Sequence, residues 1–299
     1  MTFKGVFANL PTAFDAHGRL DLATLRARIG WLLEQGVHGL SAQLSAGEFT
    51  YLSLEERMAQ ATAVIEAAEG AVPVLIGVSA DPLADTLRLA RHAQAAGAAA
   101  VMVMPKSYFR LNDDEIVALY AAVGEAVSCP IGIYNNPFTT GVDLSAALHG
   151  RIAAACPIAV TKDGSGDIGR VSELRAAGSA FAYLCGTEFQ SLPSFLLGAD
   201  GCCNGINSVF PGVIVRLYDC VRQQRLDEAD EIFLSLAPLF RFVRTHGVVR
   251  TTKAAAEIVG RSYGPHRLPM RALDADAMRQ LRDIVEGCEL FGLRGAGLH

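Results

Sequence analysis

The stretch Ile158-Ala159-Val160-Thr161-Lys162-Asp163-Gly164-Ser165-Gly166-Asp167 is typical of a buried strand that runs into a tight turn. The apolar run ends at Lys162, and Asp167 is placed to cap the following helix. Because side chains alternate along a strand, we expect Ile158, Val160 and Lys162 to share one face. If that face lines a barrel, the Lys162 amine lies at the barrel mouth, where burial lowers its pKa toward that of an amine nucleophile. The alternative is an ordinary surface lysine at a strand end.

The preceding strand favours the first interpretation. Ile131-Gly132-Ile133-Tyr134 is another short apolar run, and it ends on a polar side chain aimed in the same direction as Lys162. A lysine and a tyrosine at the ends of neighbouring strands are a candidate catalytic pair.

Strand and helix patterns alternate eight times before residue 226. The strands are predicted at residues 6–10, 37–44, 72–78, 99–104, 130–134, 158–162, 181–185 and 201–204. Helix starts are predicted from capping residues, among them Asp81-Pro82, Asp167 and Thr187 with Gln190. This alternation predicts an α/β fold, a (β/α)8 TIM barrel over residues 1–225. A doubly wound open sheet is the structural alternative, but no Gly-rich dinucleotide loop follows the first strand.

Strand patterns end at residue 225, and helical patterns follow. Helices are predicted at residues 226–245, 248–259 and 274–291, which indicates a C-terminal helical appendage over residues 226–299.

Composition limits the classes of function. The chain of 299 residues is 51% hydrophobic and 19% charged, with a net charge of -5 and no basic stripe, so we expect no nucleic-acid partner. No apolar run is long enough to span a membrane, and the N-terminus lacks a signal-peptide pattern. Seven cysteines in mostly apolar contexts are interpreted as reduced thiols, which favours a cytoplasmic location. Histidine spacing predicts no metal site, and we expect no cofactor.

The active site of a TIM barrel lies at the C-terminal ends of its strands. Those ends carry Ser45-Ala46-Gly47-Glu48, Tyr108, Tyr134, Lys162, Gly186 and Cys203-Asn204. A lysine near a tyrosine, a hydroxyl and the N–H groups of a turn suits imine chemistry on a 2-oxo acid. The lysine would attack the ketone, the phenol would carry the proton, and the turn would hold the carboxylate. Cys203 is expected to offer the pocket only its carbonyl group.

Three motifs resemble the dihydrodipicolinate synthase / N-acetylneuraminate lyase family. They are Ser45-Ala46-Gly47-Glu48, Tyr134-Asn135-x-Pro137-x-x-x-Gly141 and Lys162-x-x-Ser165-Gly166, and their order and spacing match along essentially the whole chain. The resemblance implies a Schiff-base lysine at Lys162, an acid/base tyrosine at Tyr134 and a relay hydroxyl at Ser45. It also implies that the Ser45-Ala46 turn binds a carboxylate and that the protein is a homotetramer, built as a dimer of dimers.

The sequence also departs from this family. Ala46 replaces the second of two adjacent hydroxyl residues, and Thr139 stands where true synthases carry an arginine for the second substrate's carboxylate. Tyr108 matches the tyrosine that synthases donate across the dimer only if its loop shifts by one residue. A pocket with Thr139 and Asn204 suits a hydroxylated chain.

We therefore predict a metal-independent class I lyase that cleaves or dehydrates a 2-keto-3-deoxy sugar acid or a similar hydroxy-2-oxo acid. The alternatives are a 4-hydroxy-tetrahydrodipicolinate synthase, which condenses pyruvate with aspartate semialdehyde, and a non-catalytic barrel that binds keto acids. A metal-dependent aldolase is disfavoured, because the strand ends offer no cluster of metal ligands.

Overall fold

Eight parallel strands close into a barrel in the computed structural model, which describes residues 2–288. Each strand pairs with its neighbours in chain order, and the last pairs with the first, which confirms the predicted TIM barrel. The strands are β1 Gly5–Asn9, β2 Gly39–Ala42, β3 Val74–Gly77, β4 Ala100–Val103, β5 Ile131–Asn135, β6 Ile158–Asp163, β7 Ala182–Cys185 and β8 Gly201–Asn204.

Twelve α-helices are formed by residues 2–288, and most lie around the barrel. They are α1 Leu22–Glu34, α2 Leu54–Ala68, α3 Leu83–Ala96, α4 Asp113–Ala126, α5 Pro137–Thr140, α6 Ala146–Ala155, α7 Gly169–Ala176, α8 Ser191–Leu196, α9 Pro211–Arg222, α10 Leu226–His246, α11 Val248–Ile258 and α12 Ala275–Cys288.

The inside of the barrel is filled by apolar side chains from successive strands. Phe7, Met102, Val160 and Leu184 belong to this interior cluster, and all four are fully or almost fully buried. Packed layers of this kind close the centre of a TIM barrel, so a ligand can enter only at an end. Tyr134 belongs to the same cluster and lies near the C-terminal end of the barrel, as the penultimate residue of β5.

Strand β6 contains an irregularity that the alternation rule misses. Ile131 pairs with Ile158, but Gly132 pairs with Val160, so Ala159 is an extra residue in β6. Ile158 consequently packs against the outer core between strands and helices, whereas Ala159 packs against the barrel interior. The prediction that Ile158 shares a face with Lys162 is therefore wrong.

Three predicted helix caps are also wrong. Pro82 is the N-cap residue of α3, and the Asp81 carboxylate instead pairs with Lys106 at 2.6 Å. Asp167 accepts a hydrogen bond from Gly169 N inside the turn before α7, but Ile168 is the N-cap residue. Thr187 precedes a short 3-10 turn, and its hydroxyl donates to the Gln190 side chain instead of capping a helix. In each case the polar side chain uses its hydrogen-bonding capacity in a local turn or an ion pair and not at a helix N-terminus.

The helices α10, α11 and α12 follow the barrel, as predicted for the C-terminal appendage. The part of that prediction that covers residues 289–299 lies outside the described residues. We propose to divide the chain between residues 225 and 226, where α9 has ended and α10 begins. Among residues 2–288, no helix has both the length and the apolar character needed to cross a membrane.

Candidate active site

Lys162 is the penultimate residue of β6, and its side chain points into the mouth of the barrel. Its side chain is 2% exposed, and Nζ lies 4.3 Å from the centroid of the Tyr134 ring. Burial alone would lower the pKa of Lys162, but Tyr134, Cys203 and Glu188 together raise it above its ordinary value. The prediction of a lowered pKa is therefore wrong, because these neighbours favour the charged amine.

The Tyr134 hydroxyl is part of a triangle of hydrogen bonds with Ser45 and Asn136. Tyr134 Oη lies 3.0 Å from Ser45 Oγ, and Asn136 Nδ2 donates to both oxygens, over 2.9 Å to Tyr134 and 3.0 Å to Ser45. The structure thus brings Ser45, Tyr134 and Lys162 together, as expected from the strand ends. Asn136 was missed in the sequence, although its position directly after β5 was a signal that could have identified it.

Ser45 begins a 3-10 turn, Ser45–Gly47, that follows β2. Gly47 N donates to Leu44 O, and Glu48 N donates to Ser45 O, so the turn itself uses neither the Ser45 nor the Ala46 N–H. Two adjacent N–H groups at the start of a turn can bind a carboxylate. Ala46 is buried, and its Cβ carries no hydroxyl that could add a further contact.

Glu48 supports this turn from behind. Its backbone is left-handed, with φ 51°, and its buried carboxylate forms an ion pair with Lys253 of α11 at 2.7 Å. His266 Nδ1 lies 3.1 Å from the same oxygen, Oε1. Burial disfavours the charged carboxylate, but the hydrogen bonds and charges of His266 and Lys253 outweigh it and lower the pKa of Glu48. Glu48 therefore anchors the turn to the C-terminal helices.

A cavity of about 530 Å³ opens above Lys162, within the usual size range of small-molecule sites. Seven residues proposed from the sequence line it, namely Ser45, Ala46, Tyr134, Thr139, Lys162, Gly186 and Asn204. The Thr139 hydroxyl donates to Asn136 O over 3.2 Å. Gly186 lies so close to β6 that an added Cβ would be 2.7 Å from Asp163 O, so only glycine fits there.

Two buried polar atoms in this cavity have no hydrogen-bond partner. Asn204 Oδ1 accepts from Asn207 N, but Asn204 Nδ2 is unpaired, and so is Glu188 Oε1. Asn204 is 2% exposed and Glu188 is 6% exposed. Burial raises the pKa of Glu188, although the nearby charge of Lys162 acts in the opposite direction. Both residues line the cavity, and each unpaired buried atom keeps hydrogen-bonding capacity that a polar ligand could use.

Glu188 was missed because the sequence pattern was interpreted as a helix cap at Thr187. The segment Gly186-Thr187-Glu188 directly follows β7, at the same end of the barrel as the other site residues. That position was the available signal.

Two proposed site residues do not line the cavity. Tyr108 is 89% exposed and contacts Phe109 edge to face, with ring centroids 5.2 Å apart. Within one chain Tyr108 therefore does not reach the cavity, and its catalytic role stays a prediction. Cys203 is fully buried in the barrel interior, where its thiol lies 3.1 Å from Ser41 Oγ. The thiol therefore packs in the barrel, and the expected role of the Cys203 carbonyl at the pocket stays a prediction.

A metal site would require a cluster of metal-ligating side chains. Within residues 2–288, no three His, Cys, Asp or Glu side chains converge on a point that could hold a metal ion.

Known proteins resemble the chain over almost its full length. The sequence profile of the dihydrodipicolinate synthetase family matches residues 2–287. A 4-hydroxy-tetrahydrodipicolinate synthase of Methanospirillum hungatei is 31% identical over 287 residues, which cover 95% of this chain and 98% of that protein. An uncharacterized DapA-like lyase of Halobacterium salinarum is 32% identical over 276 residues, 91% of this chain and 90% of that protein.

Solved structures agree with the sequence comparisons. A putative dihydrodipicolinate synthetase from Pseudomonas aeruginosa superposes with a TM-score of 0.92 at 35% identity, over 96% of this chain and 100% of that one. YagE of E. coli K12, a prophage protein solved in complex with pyruvate, gives a TM-score of 0.92 at 29% identity, over 97% of this chain and 100% of that one. The match over residues 2–287 means that this chain belongs to the dihydrodipicolinate synthetase family and, as family members are lyases, that it is an enzyme of the lyase class.

Proposed function

We propose that the protein is a class I lyase that forms an imine between Lys162 and a 2-oxo acid. The observation that carries this proposal is the buried Lys162 amine 4.3 Å from the centre of the Tyr134 ring, with the Tyr134 hydroxyl bonded to Ser45. The 2-oxo acid's carboxylate would accept from the free N–H groups of Ser45 and Ala46. A 2-oxo acid bound in this way would have its ketone carbon near the amine.

The reaction would begin with removal of a proton from Lys162. Because its pKa is raised, the amine is charged at neutral pH and must lose a proton before attack. The hydrogen bond between Tyr134 and Ser45 offers a path, since the phenol can accept a proton from Nζ as its own proton passes to Ser45, while the Ser45 hydroxyl releases its proton to water in the cavity. Nζ then bonds to C2, the ketone oxygen is protonated and leaves as water, and an iminium ion remains.

The iminium ion accepts the electrons released at C3. In aldol cleavage, the C3–C4 electron pair moves toward nitrogen while the C4 hydroxyl loses its proton, and an aldehyde leaves. In dehydration, C3 loses a proton and the C4 hydroxyl leaves as water. Tyr134 is the proton carrier in either case. Asn136 holds the Tyr134 and Ser45 oxygens in position through its two hydrogen bonds.

We infer that the substrate is a 2-keto-3-deoxy sugar acid or a similar hydroxy-2-oxo acid. Its hydroxyl groups would be bound by Asn204 Nδ2 and Glu188 Oε1, the two unpaired polar atoms, and by the Thr139 hydroxyl in the same cavity. The proposal includes no cofactor.

A second candidate is 4-hydroxy-tetrahydrodipicolinate synthesis from pyruvate and aspartate semialdehyde. It is favoured by the names of relatives such as the Methanospirillum hungatei protein. Thr139 opposes it, since a neutral hydroxyl replaces the expected arginine. Coupled assays of both reactions, with and without a chelator, decide between them. We expect the larger specificity constant for the sugar acid and no loss with chelator. A larger constant for aspartate semialdehyde would favour the synthase, and a lack of turnover with every keto acid would favour a binding protein.

The assembly and location are further parts of the proposal. We infer a homotetramer in the cytoplasm, in which a partner subunit covers the exposed Tyr108 and Phe109 rings and Tyr108 reaches the partner's site. Light scattering after gel filtration tests the assembly, and a monomeric mass would contradict it. The test of Tyr108 is Tyr108→Phe, which should lower turnover without changing that mass.

A further inference from the structure

The junction between α10 and α11 covers the candidate active site. Gly247 separates the two helices, with φ 86°, and residues 247–250 line the cavity together with Arg244. The barrel contributes the amine and the proton carrier, whereas this junction faces them from the C-terminal appendage. It is the part of the cavity wall that the proposed chemistry leaves without a role.

The charges of the cavity wall are unequal. Among the described residues that line it, three are basic, Lys162, Arg244 and Arg250, and one is acidic, Glu188. Lys162 and Glu188 are buried beside each other at the barrel mouth, where each influences the other's charge. The two arginines are therefore the charges that remain to be balanced.

The two arginines contact an aromatic ring and a backbone carbonyl among the described residues. The Arg244 guanidinium lies 5.0 Å from the centre of the Phe189 ring, and Arg250 Nε donates to Arg271 O over 3.0 Å. In the described part of the chain, neither has a carboxylate partner. Arg250 is half-buried and Arg244 is exposed, so both keep N–H donors for a ligand.

The start of α11 adds further donors. The helix has eleven residues, and no side chain caps its first N–H groups. Those residues, Val248, Val249 and Arg250, all line the cavity. A helix N-terminus favours an anion. Asn204, which is 2% exposed and lines the same cavity, has an unpaired Nδ2 donor, so this wall offers a further N–H group to an acceptor of the substrate.

We propose that the substrate carries a second anionic group, a carboxylate or a phosphate, at the end remote from its 2-oxo acid, and that Arg244, Arg250 and the N-terminus of α11 bind it. This inference rests on the proposed function and narrows its substrate to a 2-keto-3-deoxy sugar acid with an acidic far end.

Binding without chemistry tests the anion site directly. In Lys162→Ala no imine can form, and calorimetry compares 2-oxoadipate, a six-carbon diacid, with 2-oxohexanoate, which has the same length and a neutral end. We expect the diacid to bind about 10- to 100-fold more tightly, as charge-assisted hydrogen bonds allow. Adding Arg244→Gln or Arg250→Gln should reduce that ratio, and Arg241→Gln, on the same helix but outside this cavity, should not. Equal affinities would overturn the proposal.

Turnover distinguishes the two kinds of anion. The assay compares the specificity constants of 2-keto-3-deoxygluconate, whose far end is neutral, with those of its 6-carboxylate analogue and its 6-phosphate. We expect the specificity constant of one of the two compounds with a charged far end to be about tenfold or more above that of 2-keto-3-deoxygluconate. If the neutral sugar acid is preferred while the imine forms, the anion site is wrong and the lyase proposal stands. If none is turned over but Lys162→Ala still prefers the diacid, the lyase proposal is wrong and the anion site is supported.

Discussion

Replacement of Tyr134 by phenylalanine separates its chemical role from its packing. Its ring is buried in the barrel interior under Lys162, and Phe retains that packing. The variant loses only the hydroxyl, which contacts Ser45 and Asn136. These two side chains still bond to each other over 3.0 Å, so we expect an unfolding free energy lower by only about 1 kcal/mol.

Turnover should change far more than stability. Loss of a positioned proton carrier lowers kcat by about 10²–10⁴-fold, equivalent to about 3–5 kcal/mol in the activation free energy. Steady-state rates with the best substrate, together with urea unfolding, measure both effects.

The matched control is Tyr120→Phe. Tyr120 is also fully buried, and its hydroxyl donates to Val103 O over 2.7 Å, outside the cavity. This variant should lose stability by about 1–3 kcal/mol and keep its kcat. A Tyr134→Phe enzyme with a kcat within a few-fold of the parent's would refute the reasoning and leave Tyr134 as a core residue.

Four further predictions concern other groups in and around the site. Asn136→Leu removes the donor to Tyr134 and Ser45, so single-turnover rates should fall about tenfold while the imine still forms; an unchanged rate would exclude a positioning role. Because the pKa of Lys162 is raised, the neutral amine becomes common only as pH rises, and imine formation should accelerate up to about tenfold per pH unit above neutrality. Glu188→Gln removes one of the charges that raise the pKa of Lys162, so the pH dependence of imine formation should shift to lower pH. An unchanged pH dependence would contradict the role of Glu188 in raising that pKa. Lys253→Met leaves the buried Glu48 carboxylate without its lysine and should cost about 3–5 kcal/mol in urea unfolding, partly restored by adding Glu48→Gln; an additive loss would argue against the pair.

The barrel was predictable because its signals are local. Each strand is a short apolar run, and each is followed by a helix, so eight repeats define the closed sheet without knowledge of any contact. The same rule placed Ser45, Tyr134 and Lys162 at one end. It failed at Ala159, because a bulge depends on how β5 and β6 pair and leaves no mark in the sequence of one strand.

The rest of the site depends on contacts between distant segments. Arg244 and Arg250 reach the cavity only because α10 and α11 fold back over the barrel, and nothing in their local sequence indicates this. The raised pKa of Lys162 likewise results from three neighbours on other elements. The sequence also did not show that Tyr108 lies outside the cavity of its own chain, because the path of its loop is set by tertiary structure.

The most direct test of the central claim is to trap the imine. The protein is incubated with pyruvate and borohydride, and the reduced adduct is located by mass spectrometry of its peptides. We predict one adduct per chain, on Lys162, and none in Lys162→Ala, with Lys253, the other buried lysine among residues 2–288, unmodified. An adduct on a different lysine, or no adduct with pyruvate or any other 2-oxo acid, would contradict the account.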